Sequence, residues 1–186
     1  MKGLILIGGR SSRMGSDKGL LEYHGKPQRE YLLELAKKYC SEVYYSCRVE
    51  QVFSQNTIID EYQLGPMGGI LSAFEKDSQT AWLVMACDMP FLNQKSFELL
   101  INHRNPNKIA TAFFNPATNA PDPLFTIYEP QAYPLLIAYA QTGAQSPKNF
   151  LQNNSITTIH LPDSTFLTNA NTPEEFKQVK NHLTKE

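Results

Sequence analysis

A chain of 186 residues, 41% of them hydrophobic and 19% charged, has the size and composition of one globular domain spanning residues 1–186 with a sizeable core. Seventeen Lys and Arg against eighteen Asp and Glu leave a formal charge of −1. That balance lacks the basic excess by which DNA and RNA binders displace counterions, so nucleic acid is not an expected partner, while a local cationic pocket for a small phosphate ligand stays open.

The first apolar run, residues 3–7, reads as a buried strand, as do 43–47, 57–59 and 81–87. These runs are nearly continuous rather than alternating, as in strands covered on both faces of a parallel sheet. Met1 to Ile7 is too short for a signal-peptide core and no apolar run approaches roughly 20 residues, so a cytoplasmic protein without a membrane segment is expected. Helical patterns lie between the strands. Residues 28–39 place Tyr31, Leu32, Leu35, Ala36 and Tyr39 on one face, and 69–76 and 94–103 read similarly. Alternation of strand and helix implies βαβ units in a doubly wound α/β domain. Further on, 109–114 and 124–128 read as strands joined by the turn-rich 115–121, and 130–141 as a helix ended by Thr142-Gly143. Thr172, Pro173 and Glu175 form the start signal of a last helix, with a capping Thr, Pro at the first helical position and an acid where a capping box needs one.

Cys40, Cys47 and Cys87 are odd in number and make no C-x-x-C pair, so reduced, buried thiols are expected rather than a disulfide framework or a zinc site. His24, His103, His160 and His182 show no metal-ligand spacing, and Trp82, inside an apolar run, reads as core.

The chemistry-bearing segment follows the first strand: Gly8-Gly9-Arg10-Ser11-Ser12-Arg13-Met14-Gly15-Ser16-Asp17-Lys18. Glycines directly after a strand let backbone N–H groups approach anionic oxygens, and ligands of open α/β sheets bind at the carboxyl ends of the strands. The segment lacks the glycine spacing of a dinucleotide fingerprint, and Lys18 stands too far from Gly15 for a Walker loop. What it offers is two glycines, serine hydroxyls and the cations Arg10, Arg13 and Lys18, a donor set suited to a compact polyphosphate, with Arg13 able to grip two oxygens through its planar fork. An ordinary polar surface loop would have the same composition. A second candidate is Asp88, delivered by residues 82–87 to a strand's carboxyl end and followed at once by Pro90. A carboxylate there suits Mg²⁺, which prefers oxygen ligands and is often held by one or two carboxylates plus substrate phosphates, although an Asp also serves as a turn cap.

Leu6-Ile7-Gly8-Gly9-x-x-x-Arg13-Met14-Gly15-x-Asp17-Lys18 with Gly25-Lys26-Pro27 resembles the signature of the nucleotidyltransferases related to molybdenum cofactor guanylyltransferase. Asp88-Met89-Pro90-Phe91-Leu92 resembles that family's second signature, Leu64-Gly65-Pro66-Met67-Gly68-Gly69-Ile70 its nucleoside-side segment, and Asn169-Ala170-Asn171-Thr172-Pro173-Glu174-Glu175 its closing one. The resemblance covers essentially the whole chain and is strongest in 3–27 and 64–92. It implies a three-layer α/β/α fold of the nucleotide-diphospho-sugar transferase (Rossmann-like) type with a mostly parallel sheet. It implies transfer of GMP from GTP to the terminal phosphate of molybdopterin or its molybdenum form, with Mg²⁺ and release of pyrophosphate. Leu6, Ile7, Gly8, Gly9, Lys18, Ser46, Asp60, Gly65 and Gly68 then bind the nucleotide; Lys18, Arg13 and Asp88 serve catalysis; Asp88 holds the metal; and Asn169, Asn171 and Lys148 face the acceptor. Transient contact with molybdoenzymes or cofactor-synthesis proteins and a monomeric or weakly associating chain go with that reading.

Departures appear at Ile7, where the family usually has Ala, and at Ser46, where Asn is common. On the acceptor side Asp122 stands where relatives carry a basic or His-bearing segment, and an acid facing an anionic pterin phosphate would repel it. A CTP-using or other NTP-using transferase with another pterin or sugar-phosphate acceptor, and a non-catalytic nucleotide-binding adaptor that delivers cofactor, are the competing readings.

Overall fold

The computed structural model describes residues 1–7 and 18–183, with Lys18 described for its backbone alone. Seven strands form one sheet among these residues: β1 (Lys2–Leu6), β2 (Val43–Cys47), β3 (Thr57–Ile59), β4 (Trp82–Ala86), β5 (Ala110–Asn115), β6 (Ala120–Tyr128) and β7 (Thr157–Ile159), in the order β3-β2-β1-β4-β6-β5-β7. β1 to β4 run parallel to one another and β7 runs parallel to β5. β6 is antiparallel to both of its neighbours, so the sheet is mostly parallel.

Six helices cover it: α1 (Gln28–Ala36), α2 (Pro66–Lys76), α3 (Gln94–Asn102), α4 (Ala132–Gln141), α5 (Pro147–Gln152) and α6 (Pro173–Leu183). Side chains of a strand alternate between faces, and β1 divides accordingly. Ile5 and Ile7 pack with Leu32 and Leu35 of α1 and Phe97 and Leu100 of α3. Leu4 and Leu6 pack with Met67, Ile70 and Phe74 of α2, Leu136 of α4 and Phe150 of α5. This two-sided burial is why β1 and β4 read as unbroken apolar runs. Each fully buried Leu, Ile or Phe contributes roughly 1.5–3 kcal/mol of transfer free energy. Trp82 is fully buried, its indole N–H donating to the Asp77 carbonyl at 3.0 Å, as its apolar surroundings imply. The three cysteines are buried free thiols, and burial pushes the Cys40 thiol up to about 12.

The last helix starts as its sequence dictates. Glu175 N–H donates to Thr172 Oγ1 at 3.2 Å, and Glu175 Oε2 accepts from the N–H groups of Thr172 at 3.0 Å and Asn171 at 2.6 Å. The second half departs from the sequence expectation. β6 begins at Ala120 rather than 124, and α5 and β7 were not expected at all. The reason at β6 is two prolines without amide hydrogens, Pro121 and Pro123. The pairing of β5 with β6 shifts register between Ala112 and Phe114. No helix among the described residues is long and apolar enough to cross a membrane.

Candidate active site

The parallel strands end in step. Leu6 is in register with Ser46 of β2 and with Ala86 of β4, and Ser46 with Ile58 of β3. The ladder continues past the strand ends, where Ile7 N–H donates to Ser46 O at 3.0 Å, Cys87 N–H to Leu6 O at 3.2 Å and Asp60 N–H to Cys47 O at 2.9 Å. Asp60 and Asp88 each emerge two residues beyond this common row. Three inter-strand spacings separate them, roughly 14 Å at about 4.8 Å per spacing.

A cleft of about 1050 Å³ opens along that edge and brings together Leu6, Ile7, Ser46, Asp60, Gly65 and Asp88. Six of the residues singled out from the sequence therefore share one cavity although 82 positions separate the first from the last. Gly8, Gly9, Arg10 and Arg13 and the side chain of Lys18 lie outside the described residues. Gly68 is not part of the lining. It sits in the first turn of α2, beneath Asp60, where a Cβ would lie 2.2 Å from Asp60 Oδ1. Gly69 performs the same service for β2, since its Cβ would lie 2.5 Å from Ser46 Oγ. Gly65, with φ of +61°, caps α2 in a conformation that favours glycine.

Asp60 is held by its own turn: Oδ1 accepts from the N–H groups of Tyr62 and Gln63, both at 3.1 Å. Burial raises its carboxyl above the ordinary range, against the lowering effect of those two bonds and of Arg48. The sequence reading missed part of the cleft wall, where a short 3₁₀ turn after β2 (Val49–Gln51), capped by Arg48, contributes Arg48, Val49 and Glu50 together with Glu61 and Gln63. No periodicity marks that turn; its one legible signal is the fall in apolarity after Cys47. Among the described lining residues the charged groups are Arg48 against Glu50, Asp60, Glu61 and Asp88. These walls are net acidic, so a polyphosphate bound here requires cations from outside them.

Asp88 sits on a braced loop. Its carbonyl accepts from Ala170 N–H at 2.8 Å, which ties the closing signature to the end of β4. Tyr23 is buried beside it, and the phenol is pushed upward first by burial and then by the negative charge of Asp88, with Cys87 and Glu175 adding to it. No cluster of three or more His, Cys, Asp or Glu that could hold a metal ion occurs among the described residues.

A second pocket, about 690 Å³, adjoins the cleft and shares Leu124 with it. It is walled by the 115–118 turn, by residues 122–124 of β6, by Lys148 of α5 and by residues 162–165 and 167–169, and it brings Lys148, Asn169 and Asp122 together. Asn171 lies outside that lining, and its backbone N–H serves the α6 cap. Asp122, the acid expected to repel an anionic acceptor, lines this pocket with its carboxylate engaged. The side chain is buried, with Oδ2 accepting from Asn115 Nδ2 at 3.0 Å and Oδ1 from Leu124 N–H at 2.9 Å, and the Phe125 N–H is a further donor. Burial raises its carboxyl above the usual range, against the lowering effect of these bonds.

Comparison with known proteins agrees with this geometry. Residues 3–158 match the model of the MobA-like NTP transferase domain. A curated relative, the molybdenum cofactor biosynthesis bifunctional protein of Synechocystis sp., is 35% identical over 95% of this chain, which spans 53% of that protein's length. The probable molybdenum cofactor guanylyltransferase of Trichormus variabilis is 26% identical over 95% of this chain and 89% of its own. The crystal structure of molybdopterin-guanine dinucleotide biosynthesis protein A from Archaeoglobus fulgidus superimposes with a TM-score of 0.81 over 100% of both chains at 22% identity, a likeness of fold. The sheet order, the cleft at its carboxyl edge and a family match over most of the chain lead to one assignment: this chain belongs to the MobA-like NTP transferase family, with the nucleotide-diphospho-sugar transferase fold.

Proposed function

We propose that the chain transfers GMP from GTP to the terminal phosphate of molybdopterin or its molybdenum form in the cytoplasm, releasing pyrophosphate. The observation that carries this reading is the convergence of Asp60 and Asp88 on one cleft that shares Leu124 with a second pocket, which holds Lys148 and Asn169. A dinucleotide-forming enzyme needs two adjoining sites of this kind, one for each half of its product. The relatives' names supply the guanylyl and molybdopterin identities.

In the reaction an oxygen of the acceptor phosphate bonds to the α-phosphorus of GTP while the bond from that phosphorus to the bridging oxygen of pyrophosphate breaks. A phosphate monoester, with its second pKa near about 6, is already mostly dianionic at neutral pH, so no general base is required. The protein's part is positioning and charge compensation. Asp60 and the Gly65 turn hold the nucleoside end, and Asp88 fixes the phosphate end. Arg13 and Lys18 supply cations that the acidic walls of the cleft lack. The donor chemistry of Asp88 fits Mg²⁺, and a site with one carboxylate suits an ion that arrives on the triphosphate rather than one resident in a protein cage. When bound, that ion adds neutralisation of the phosphate oxygens. Lys148 and Asn169 orient the acceptor.

The test is pyrophosphate release from GTP, CTP, ATP and UTP in turn, with Mg²⁺ and molybdopterin. GTP is expected to be used at least tenfold better than the others. Turnover restricted to CTP, or none with any nucleotide while binding persists, would refute the guanylyl reading.

A further inference from the structure

The loop that carries Asp88 is clamped from two directions. Residues 21–28 form a tight hairpin, closed by the Gln28 N–H to Leu21 O bond at 2.9 Å and by a bridge between Glu22 and Pro27, with Gly25 at φ of +71° in its turn. The hairpin projects two side chains across more than 60 positions of sequence onto the loop after β4. Gln28, fully buried, donates from Nε2 to the Met89 carbonyl at 3.1 Å. His24 bonds from Nε2 to the Pro90 carbonyl at 2.8 Å, and because a carbonyl only accepts, that nitrogen carries the hydrogen. The His24 ring is fixed in turn by stacking on Tyr31 at 3.8 Å between centroids. With Ala170 N–H on the Asp88 carbonyl at 2.8 Å, three consecutive carbonyls, of residues 88, 89 and 90, each receive a hydrogen bond from outside their own loop.

Without these donors the Met89 carbonyl would keep only the long 3.4 Å bond from Leu92 N–H, and buried carbonyls so poorly paired cost free energy and turn to find partners. A rotation of the peptides flanking Asp88 would swing its carboxylate out of line with the phosphate end of the cleft. A misplacement of about 1 Å at a positioned group can lower a rate on the order of a hundredfold. We infer that Gln28 and His24 are positioning residues that set the backbone at 88–90 and thereby aim Asp88 into the nucleotide cleft. The inference rests on the transferase reading for its catalytic consequence, though not for its structural one. Residue 28 gives no such signal in the sequence, where it reads as the first residue of an amphipathic helix.

Three variants test it. Gln28→Met keeps the shape of the side chain and removes the donor. His24→Phe keeps the stack on Tyr31 and removes the donor, and His24→Gln returns an N–H to about the same place. The first readout is amide hydrogen exchange at Ala170, whose N–H is bonded to the Asp88 carbonyl. Exchange is expected to quicken at least tenfold in Gln28→Met and His24→Phe and to return to within threefold of wild type in His24→Gln. The second readout is the Mg²⁺ dependence of pyrophosphate release from GTP. The half-saturating Mg²⁺ concentration is expected to rise about fivefold and kcat to fall about tenfold, with KM for GTP within twofold. A lowered Tm with unchanged exchange at Ala170 and an unchanged Mg²⁺ dependence would overturn the inference in favour of plain structural support. If Gln28→Met fails to fold, the two His24 variants decide it alone. A wild-type chain that releases no pyrophosphate would sink the transferase reading instead, and the exchange at Ala170 would still decide whether the clamp exists.

Discussion

The side of the cleft proposed for the nucleotide and the pocket proposed for the acceptor are built differently. On the nucleotide side four parallel strands end in one row, and each strand end hands its residue to the rim through a continuing backbone ladder. Position there is set by register, so a residue's role follows from how far it stands beyond its strand. On the acceptor side the antiparallel β6, which carries Pro121 and Pro123, shifts register against β5, and the pocket wall comes from a turn, residues 122–124 of β6, a six-residue helix and the 162–169 segment. Position there is set by local hydrogen bonds that no periodicity announces. Catalytic steps that need fixed charge belong on the first kind of wall, and tolerance of a varied acceptor on the second.

Substitutions should therefore cost more on the nucleotide side, and the largest effect is expected at Asp88. Asp88→Ala should lower pyrophosphate release by on the order of 10²–10³, the scale of losing one preorganised electrostatic stabiliser. The remaining activity should no longer respond to Mg²⁺ over the range that saturates wild type. A preserved Mg²⁺ response would move the metal to another ligand and break the contrast drawn between the two walls.

Next is Gly68→Ala. The added methyl would lie 2.2 Å from Asp60 Oδ1, and the carboxylate cannot yield freely because it already accepts from Tyr62 and Gln63. Overpacking of this kind costs roughly 1–3 kcal/mol of stability. KM for the nucleotide should rise about tenfold as Asp60 is displaced, with the acceptor KM unchanged. Isothermal titration with GTP separates the two, and undiminished affinity would mean that Asp60 does not touch the nucleoside.

What the sequence made legible follows the same division. Asp88 and Asp60 were readable because each ends a short apolar run at a strand's carboxyl end, where the geometry of a parallel sheet leaves little freedom. The Thr172–Glu175 cap was readable because it is local. Gln28, His24 and the wall at Arg48 were not, since their partners lie far along the chain or on a turn without a pattern. Asp122 was readable as a charge on the acceptor side but not as a bonded one, because residue type gives charge and not partners. Its carboxylate accepts from the Asn115 side chain of β5 and from the backbone of Leu124 in its own strand.

A smaller effect is expected across the cleft. Lys148→Ala removes a half-exposed charge from the second pocket, a contact worth about 1 kcal/mol. The acceptor KM should rise about fivefold while kcat and the nucleotide KM hold, as steady-state kinetics with each substrate varied would show. An effect only on the nucleotide KM would assign Lys148 to the other site.

The smallest catalytic effect is expected at Asp122, where pH dependence is the sharper readout. Burial raises the folded-state pKa of this carboxyl above its unfolded value near 3.8. The folded protein therefore holds the proton more tightly than the unfolded chain, so this group favours folding most at pH below the unfolded pKa. That contribution is lost as pH rises from the ordinary carboxylate range through the raised value, and it is level above it. Asp122→Asn should flatten this limb of the stability profile measured by urea unfolding between pH 4 and 7. At pH 7 the exchange relieves a buried charge but leaves one donor poorly paired, because Asn115 could turn its amide only by giving up the bond from Ala117 N–H to its own oxygen. The two changes oppose each other, with the orphaned donor costing about 1–3 kcal/mol. The acceptor KM should stay within twofold, since the side chain is mostly buried where it lines the pocket and both its oxygens already accept, from Asn115 and Leu124. A tenfold fall in that KM would show instead that the charge does reach the acceptor, and that the two walls differ less than their construction implies.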